Sequence, residues 1–171
     1  MTRLFGTDGV RGIANKKLTP KLCYDIGRAA AYVLAKGKKG KVLVGRDTRL
    51  SGDLVESSLV AGFMSIGLDV DLAGIIPTPG VAYLTRTGDY LCGVSISASH
   101  NPYEHNGIKF FSSEGLKLDD EVEDEIEEKI LSTTKIYKDV TGHEIGRLNR
   151  SHEFTQKYVD FLKGLVDFDF S

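Results

Sequence analysis

The densest run of chemistry-bearing side chains is Ser97-Ala98-Ser99-His100-Asn101-Pro102, continued by Asn106-Gly107-Ile108-Lys109. A serine hydroxyl can carry a transferred group. A nearby lysine can neutralise an anion, and an imidazole can move a proton near neutrality. The run directly follows an apolar stretch of strand type, and loops at strand ends are where layered α/β folds place their ligands. Pro102 turns Asn101 away from helical geometry, and Gly107 permits close backbone approach. Each of these residues is also ordinary in a loop, so a plain solvent-facing turn stands as the alternative.

A second segment, Gly6-Thr7-Asp8-Gly9-Val10-Arg11-Gly12, combines three glycines with an arginine. Backbone N–H groups and a guanidinium suit an anion, whereas the alternative is a tight structural turn. It is neither a G-x-G-x-x-G opening a helix nor a phosphate loop ending in Lys-Ser/Thr, which argues against a nucleotide. A hydrolytic Ser99–His100 pair is disfavoured, because adjacent side chains usually point apart and no G-x-S-x-G elbow is present. His100 and His105 lack the further ligands a metal site needs.

The elements that must position these groups alternate. Thr19 caps a helix that starts at Pro20, carries Leu22, Ile26, Ala29, Ala30 and Val33 at helical spacing, and stops at Gly37. A strand over 41–45 leads through a loop to a helix over 53–67, then a strand over 68–72. Pro77-Thr78-Pro79-Gly80 turns into a short helix ending near Thr87. In the strand over 91–97, Val94 and Ile96 alternate with Ser95 and Ser97. A polar loop over 98–107 precedes a strand over 108–111, and Ser112-Ser113-Glu114-Gly115 turns the chain back. The helix over 119–131 directs Val122, Ile126 and Ile130 inward and sets eight acidic side chains on a solvated face. This alternation predicts an α/β domain of layered helix–sheet–helix form. The return after Phe111 predicts a mixed, mainly parallel sheet.

Residues 132–150 show little periodicity and read as a connector. Ser151 then caps a helix with Phe154, Tyr158, Phe161, Leu162 and Leu165 on one stripe, followed by Asp167-Phe168-Asp169-Phe170-Ser171. Two arrangements fit that stripe: the start of a further domain, or packing back onto the main one. The expected organisation is a unit over 1–150, followed over 151–171 by a connector and the first helix of a truncated second domain.

The chain's 171 residues suffice for one core, and 41% hydrophobic with 27% charged residues is a globular balance. A net charge of -2 gives no strong field toward nucleic acid or an anionic membrane. No apolar run spans a bilayer, and Met1 to Gly6 lack a signal-peptide core. Cys23 and Cys92 read as buried, reduced thiols of a cytoplasmic protein.

Phe5-Gly6-Thr7-Asp8-Gly9-Val10-Arg11-Gly12 resembles the N-terminal signature of the phosphoglucosamine mutase branch of the α-D-phosphohexomutase superfamily. Ile96-Ser97-Ala98-Ser99-His100-Asn101-Pro102, with Asn106 to Phe111, resembles the superfamily's phosphoserine loop. Gly45-Arg46-Asp47-Thr48-Arg49-Leu50-Ser51-Gly52 is similar to a further family segment. The resemblance implies that Ser99 carries a phosphoryl group. It would donate that group to a hexose monophosphate, and the other phosphate of the resulting bisphosphate would return to the serine. For this branch the sugars are glucosamine 6-phosphate and glucosamine 1-phosphate. Lys109 and His100 match positions of proton transfer or charge stabilisation, and Arg11 matches an arginine near the phosphoserine. A lysine acting as base would need a lowered pKa.

The family also implies Mg2+, held by the phosphoserine and three aspartates of an Asp-Gly-Asp-x-Asp-Arg loop in a second domain. That loop does not occur here. Nor do the sugar-reading Glu-Glu-Ser-Gly and phosphate-binding Arg-x-Ser-Gly-Thr segments of the third and fourth domains. The expected partners are therefore a hexosamine phosphate and domains 2–4 of the same chain, with no nucleic acid and no membrane. The piece alone is expected to be inactive. The alternatives are a phosphomannomutase/phosphoglucomutase domain, a sugar-phosphate binding module and a purely structural α/β domain.

Overall fold

The computed structural model describes residues 3–132, 137 and 140–165. The segment 167–171 lies outside them. Among the described residues, six strands form one sheet in the order β1-β5-β4-β2-β3-β6. They are β1 (Val10–Ile13), β2 (Lys41–Arg46), β3 (Asp69–Ile75), β4 (Cys92–Ile96), β5 (His105–Ser112) and β6 (Leu148–Arg150). Strands β4, β2, β3 and β6 are parallel neighbours, while β5 runs antiparallel to both β4 and β1.

The mixed, mainly parallel sheet is as expected, but its antiparallel member arises elsewhere. The chain reverses between β4 and β5, through the Ser99 loop, whereas the turn after Phe111 returns it only as far as an isolated antiparallel bridge between Phe111 and Lys117. Pairing starts as early as His105, because Pro102 accepts from the His105 N–H and closes a tight turn. The polar composition of 98–107 concealed that early start.

Among the described residues, five α-helices cover the two faces: α1 (Pro20–Ala35), α2 (Gly52–Met64), α3 (Thr78–Thr87), α4 (Asp120–Leu131) and α5 (Glu153–Gly164). The Thr19 hydroxyl accepts from the Leu22 N–H at 3.2 Å, so the first helix begins where its cap and proline require. The strand pleat sorts the core into two halves. Val42, Val44, Val94, Ile96, Ile108 and Phe110 face α1, α2 and α4, while Leu43, Ala73 and Phe111 face α3 and α5. Phe110 is fully buried between Phe5 and Phe63.

The connector over 132–150 contains a short 3-10 turn at Gly142–Glu144, and then β6, which extends the sheet edge beside β3. Three residues are too few to show an alternating pattern. The α5 stripe packs on α3: Phe154 and Tyr158 are buried, and Phe161 stacks on Tyr83 at 3.8 Å between ring centres.

The acidic face of α4 is not uniformly solvated. Glu123 is 1% exposed and pairs with Lys117 at 3.1 Å. Glu127 accepts from the Leu4 and Phe5 N–H groups. These two carboxylates pin chain segments to the helix, whereas Glu121 and Asp124 are solvated as expected. Both thiols are buried and free, and burial pushes each up to about 12. Among the described residues no helix is long and apolar enough to cross a membrane.

Candidate active site

Three strands deliver the polar groups to one end of the sheet. Along β4, Cys92, Val94 and Ile96 enter the core facing α1, so Ser95 and Ser97 point to the α3 side. Along β5, Ile108 and Phe110 do the same, which leaves Lys109 beside Ser95, its partner in the ladder. Along β1, Val10 is buried and Arg11 takes the opposite face. Arg11 pairs with Gly107, where an added Cβ would meet the arginine stem at 3.0 Å. The missing side chain lets the guanidinium stem cross the strand.

These groups line a cleft of about 230 Å3 bounded by Asp8, Arg11, Thr78, Ser95, Ser97, Ser99 and Lys109. The Asp8 carboxylate lies 3.4 Å from Arg11 Nη2 and 3.6 Å from Lys109 Nζ, each side chain being partly exposed. In such a wet setting these ion pairs are weak, so the two cations remain open to an incoming anion. Thr78 and Ser95 share a hydrogen bond at 3.0 Å on the floor. Arg11 Nε is buried and unpartnered among the described residues, an electrostatic bias toward an anionic guest.

Ser99 sits at the mouth, exposed, with φ +56. A left-handed conformation costs a non-glycine residue roughly 1–2 kcal/mol. The surrounding bonds offset that cost. Ser99 N–H donates to Ser97 Oγ at 3.0 Å. Arg49 donates from Nη2 to the carbonyls of Ser99 and Asn101, at 2.8 and 3.0 Å, and from Nη1 to those of Pro102 and His105, at 2.8 and 3.1 Å. Charge-assisted bonds contribute about 1.5–3 kcal/mol each. A second tie comes from Asn106, fully buried, whose side chain donates to Ser51 Oγ and accepts from the Gly107 N–H.

The same backbone twist brings Ser99 Oγ to 3.4 Å from His100 Nδ1. Adjacent side chains ordinarily diverge, and the sequence predicts that these do. The left-handed residue instead folds them onto one side, at the outer limit of a hydrogen bond. The structure therefore gathers Ser99, Arg11 and Lys109 around one cleft, with His100 beside the serine. Asp8, Thr78, Ser95 and Ser97 complete the lining. Their signals were the alternation of serines along β4 and the carboxylate inside the glycine-rich segment.

No three His, Cys, Asp or Glu side chains gather into a cation site among the described residues. One carboxylate, Asp8, borders the cleft, and both its near neighbours are cationic. Hard divalent cations take several oxygen ligands, so the residues present do not fit Mg2+ by themselves.

Known proteins share this fold. Residues 2–137 match the family model described as phosphoglucomutase/phosphomannomutase, alpha/beta/alpha domain I. A phosphoglucosamine mutase from Clostridioides difficile is 56% identical over 171 residues, covering 99% of this chain and 38% of that protein. One from Alkaliphilus metalliredigens is 55% identical over 168 residues, covering 98% and 38%. The crystal structure of a phosphoglucomutase/phosphomannomutase family protein from Burkholderia thailandensis superposes with a TM-score of 0.79 at 26% identity, covering 96% of this chain and 36% of the other. The chain thus spans 38% of the length of these two curated relatives. On the sequence match and the shared fold, the chain belongs to the phosphoglucomutase/phosphomannomutase family, as its alpha/beta/alpha domain I.

Proposed function

We propose that this chain is the phosphoserine-carrying domain of a phosphoglucosamine mutase, which interconverts glucosamine 6-phosphate and glucosamine 1-phosphate through a bisphosphate. The observation that carries the reading is the placement of Ser99: an exposed hydroxyl, held in a strained backbone conformation, at the mouth of a cleft lined by Arg11 and Lys109. The names of the 55% and 56% identical relatives support the choice of sugar.

In the proposed cycle a hydroxyl oxygen of the sugar monophosphate attacks the phosphorus on Ser99. The new P–O bond forms as the bond to Ser99 Oγ breaks, and the departing oxygen takes up a proton. The sugar hydroxyl loses one. The His100 imidazole, 3.4 Å from Ser99 Oγ, is placed to carry that proton. Lys109 and Arg11 neutralise the phosphoryl oxygens, and the planar guanidinium suits two of them at once. After the bisphosphate turns over, the same groups serve the reverse transfer, and the other phosphate returns to Ser99.

In this reading residues 1–150 form the carrier unit, and 151–171 are the connector and first helix of the second. The partners are a hexosamine phosphate and domains 2–4 of the complete chain, in the cytoplasm and away from nucleic acid and membrane. Mg2+ belongs to the complete protein, with its ligands other than the Ser99 phosphate outside this chain, and no step here is derived through it. The piece alone is inactive.

The test is phosphate mapping by peptide mass spectrometry on the complete protein, after incubation with a hexosamine bisphosphate and Mg2+. Phosphate on Ser99, absent from Ser99→Ala, supports the reading. A folded protein with none there overturns it.

A further inference from the structure

From the four carbonyl contacts of Arg49 we infer that this residue is the positioning residue for the Ser99 loop, setting the transfer rate without touching the substrate. The inference rests on the proposed role of Ser99. One side chain, 11% exposed, reaches across about fifty residues of chain to four carbonyls of a single loop. Its Nε is fixed in turn by Asp47, at 3.0 Å from Oδ2, and Asp47 Oδ1 accepts from the Arg49 N–H. The Nε, Nη1 and Nη2 donors are thereby aimed at the loop or at Asp47, and Arg49 is not among the residues lining the cleft.

The geometry explains why an arginine stands here. The carbonyls of Ser99, Asn101, Pro102 and His105 converge on one point, a concentration of partial negative charge that would repel itself unless a cation filled it. A planar fork with fixed donor directions satisfies all four, whereas a lysine ammonium offers three donors from one atom. With the fork in place the Ser99 carbonyl is locked, and with it the left-handed φ that holds Oγ beside His100 Nδ1 at the cleft mouth. Without it, Ser99 is free to relax to an ordinary backbone conformation that swings Oγ away. Phosphoryl transfer depends on in-line placement, so the deficit falls on turnover and not on sugar binding.

The experiment uses the complete protein and the variants Arg49→Met, Arg49→Lys and Asp47→Asn, each checked for folding by circular dichroism and melting temperature. For Arg49→Met the expected result is a fall in kcat of roughly a hundredfold with KM for the sugar phosphate within about threefold. Arg49→Lys keeps the charge and recovers only part of that loss. Asp47→Asn falls between the two. Hydrogen exchange is the readout independent of activity: the amides of Asn101 and His105, bonded to the carbonyls of Ala98 and Pro102, exchange faster in Arg49→Met. Wild-type kcat in folded Arg49→Met overturns the inference, as does full recovery by lysine, or unchanged loop exchange. If Arg49→Met does not fold, Asp47→Asn and Arg49→Lys decide by the same measures. A wild-type protein that never takes phosphate on Ser99 sinks the mutase reading instead, and the exchange result then still reports on the clamp.

Discussion

Lys109 stands opposite Ser95 in the β4–β5 ladder, both on the face that carries α3. The strand pleat alone produces this. A one-residue slip between β4 and β5 would send Lys109 into the core and Phe110 out of it, exchanging a buried aromatic ring for a charge. The apolar residues of β5 therefore fix the register, and the register places the cation.

Strain at Ser99 is measurable by two small substitutions. Ser99→Ala and Ser99→Gly should both abolish phosphoryl uptake. Glycine adopts φ +56 without steric cost, so Ser99→Gly should be the more stable of the two by roughly 0.5–1 kcal/mol. Chemical denaturation compares them, and equal midpoints would mean the backbone there is relaxed.

Gly9 meets a harder constraint. Its φ is +82, and an added Cβ would lie 2.2 Å from the Ile108 carbonyl oxygen. Backbone cannot move aside as a side chain does. Gly9→Ala should cost about 3 kcal/mol or more and displace the adjacent Asp8. Thermal unfolding measures the loss, and a shift of a degree or two would count against it.

Burial is the first cause holding the Glu123 carboxyl above its ordinary value of 4.5, with Lys117 acting in the opposite direction. The Lys117 ammonium is itself stabilised chiefly by Asp120. A raised carboxyl pKa means that the contribution of Glu123 is fully present below pH 4.5 and fades as pH climbs through the folded value. Glu123→Gln should therefore gain stability relative to wild type as pH rises from about 4 to 7. Denaturation series at both ends check the trend, and a variant that loses ground with rising pH would reverse the sign.

The α5 stripe offers a test of where the unit ends. Phe154 and Tyr158 are each 8% exposed against α3. If that contact belongs to this unit, Phe154→Ala should lower its stability by about 2–3 kcal/mol. An unchanged unfolding transition in the 171-residue chain would place α5 outside the cooperative unit.

Much of the scaffold was legible in local pattern. Thr19 and Pro20 announced α1, and the alternation of Val94 and Ile96 with Ser95 and Ser97 announced both β4 and the side of the sheet its serines take. The features that local pattern hides depend on distant partners. The β1 strand is a glycine-containing tetrapeptide whose strand character comes from pairing with β5. The β6 strand has three residues at an edge. Glu123 looked like its acidic neighbours, because nothing local reports that Lys117 covers it. Arg49 was visible only as part of a familiar segment. Its partners are main-chain carbonyls, which every residue carries and no sequence pattern distinguishes.

The pairing of Val10 with Ile108 also imposes an order on synthesis. Strand β1 leaves the ribosome about a hundred residues before its neighbour in the sheet. Until β5 emerges, β1 has no ladder to join, and Arg11 and Asp8 have no cleft to line. Strands β2, β3 and β4 with α1 and α2 can gather first from nearer contacts. The amino-terminal segment must then close over an assembled core, a long-range step of the kind that slows folding. The Ser99 loop is completed in the same event, because β5 supplies both the partner for β1 and the end of that loop. A nascent chain halted before β5 would hold α1, α2 and α3, but its site would lack Lys109 and the strand that seats β1.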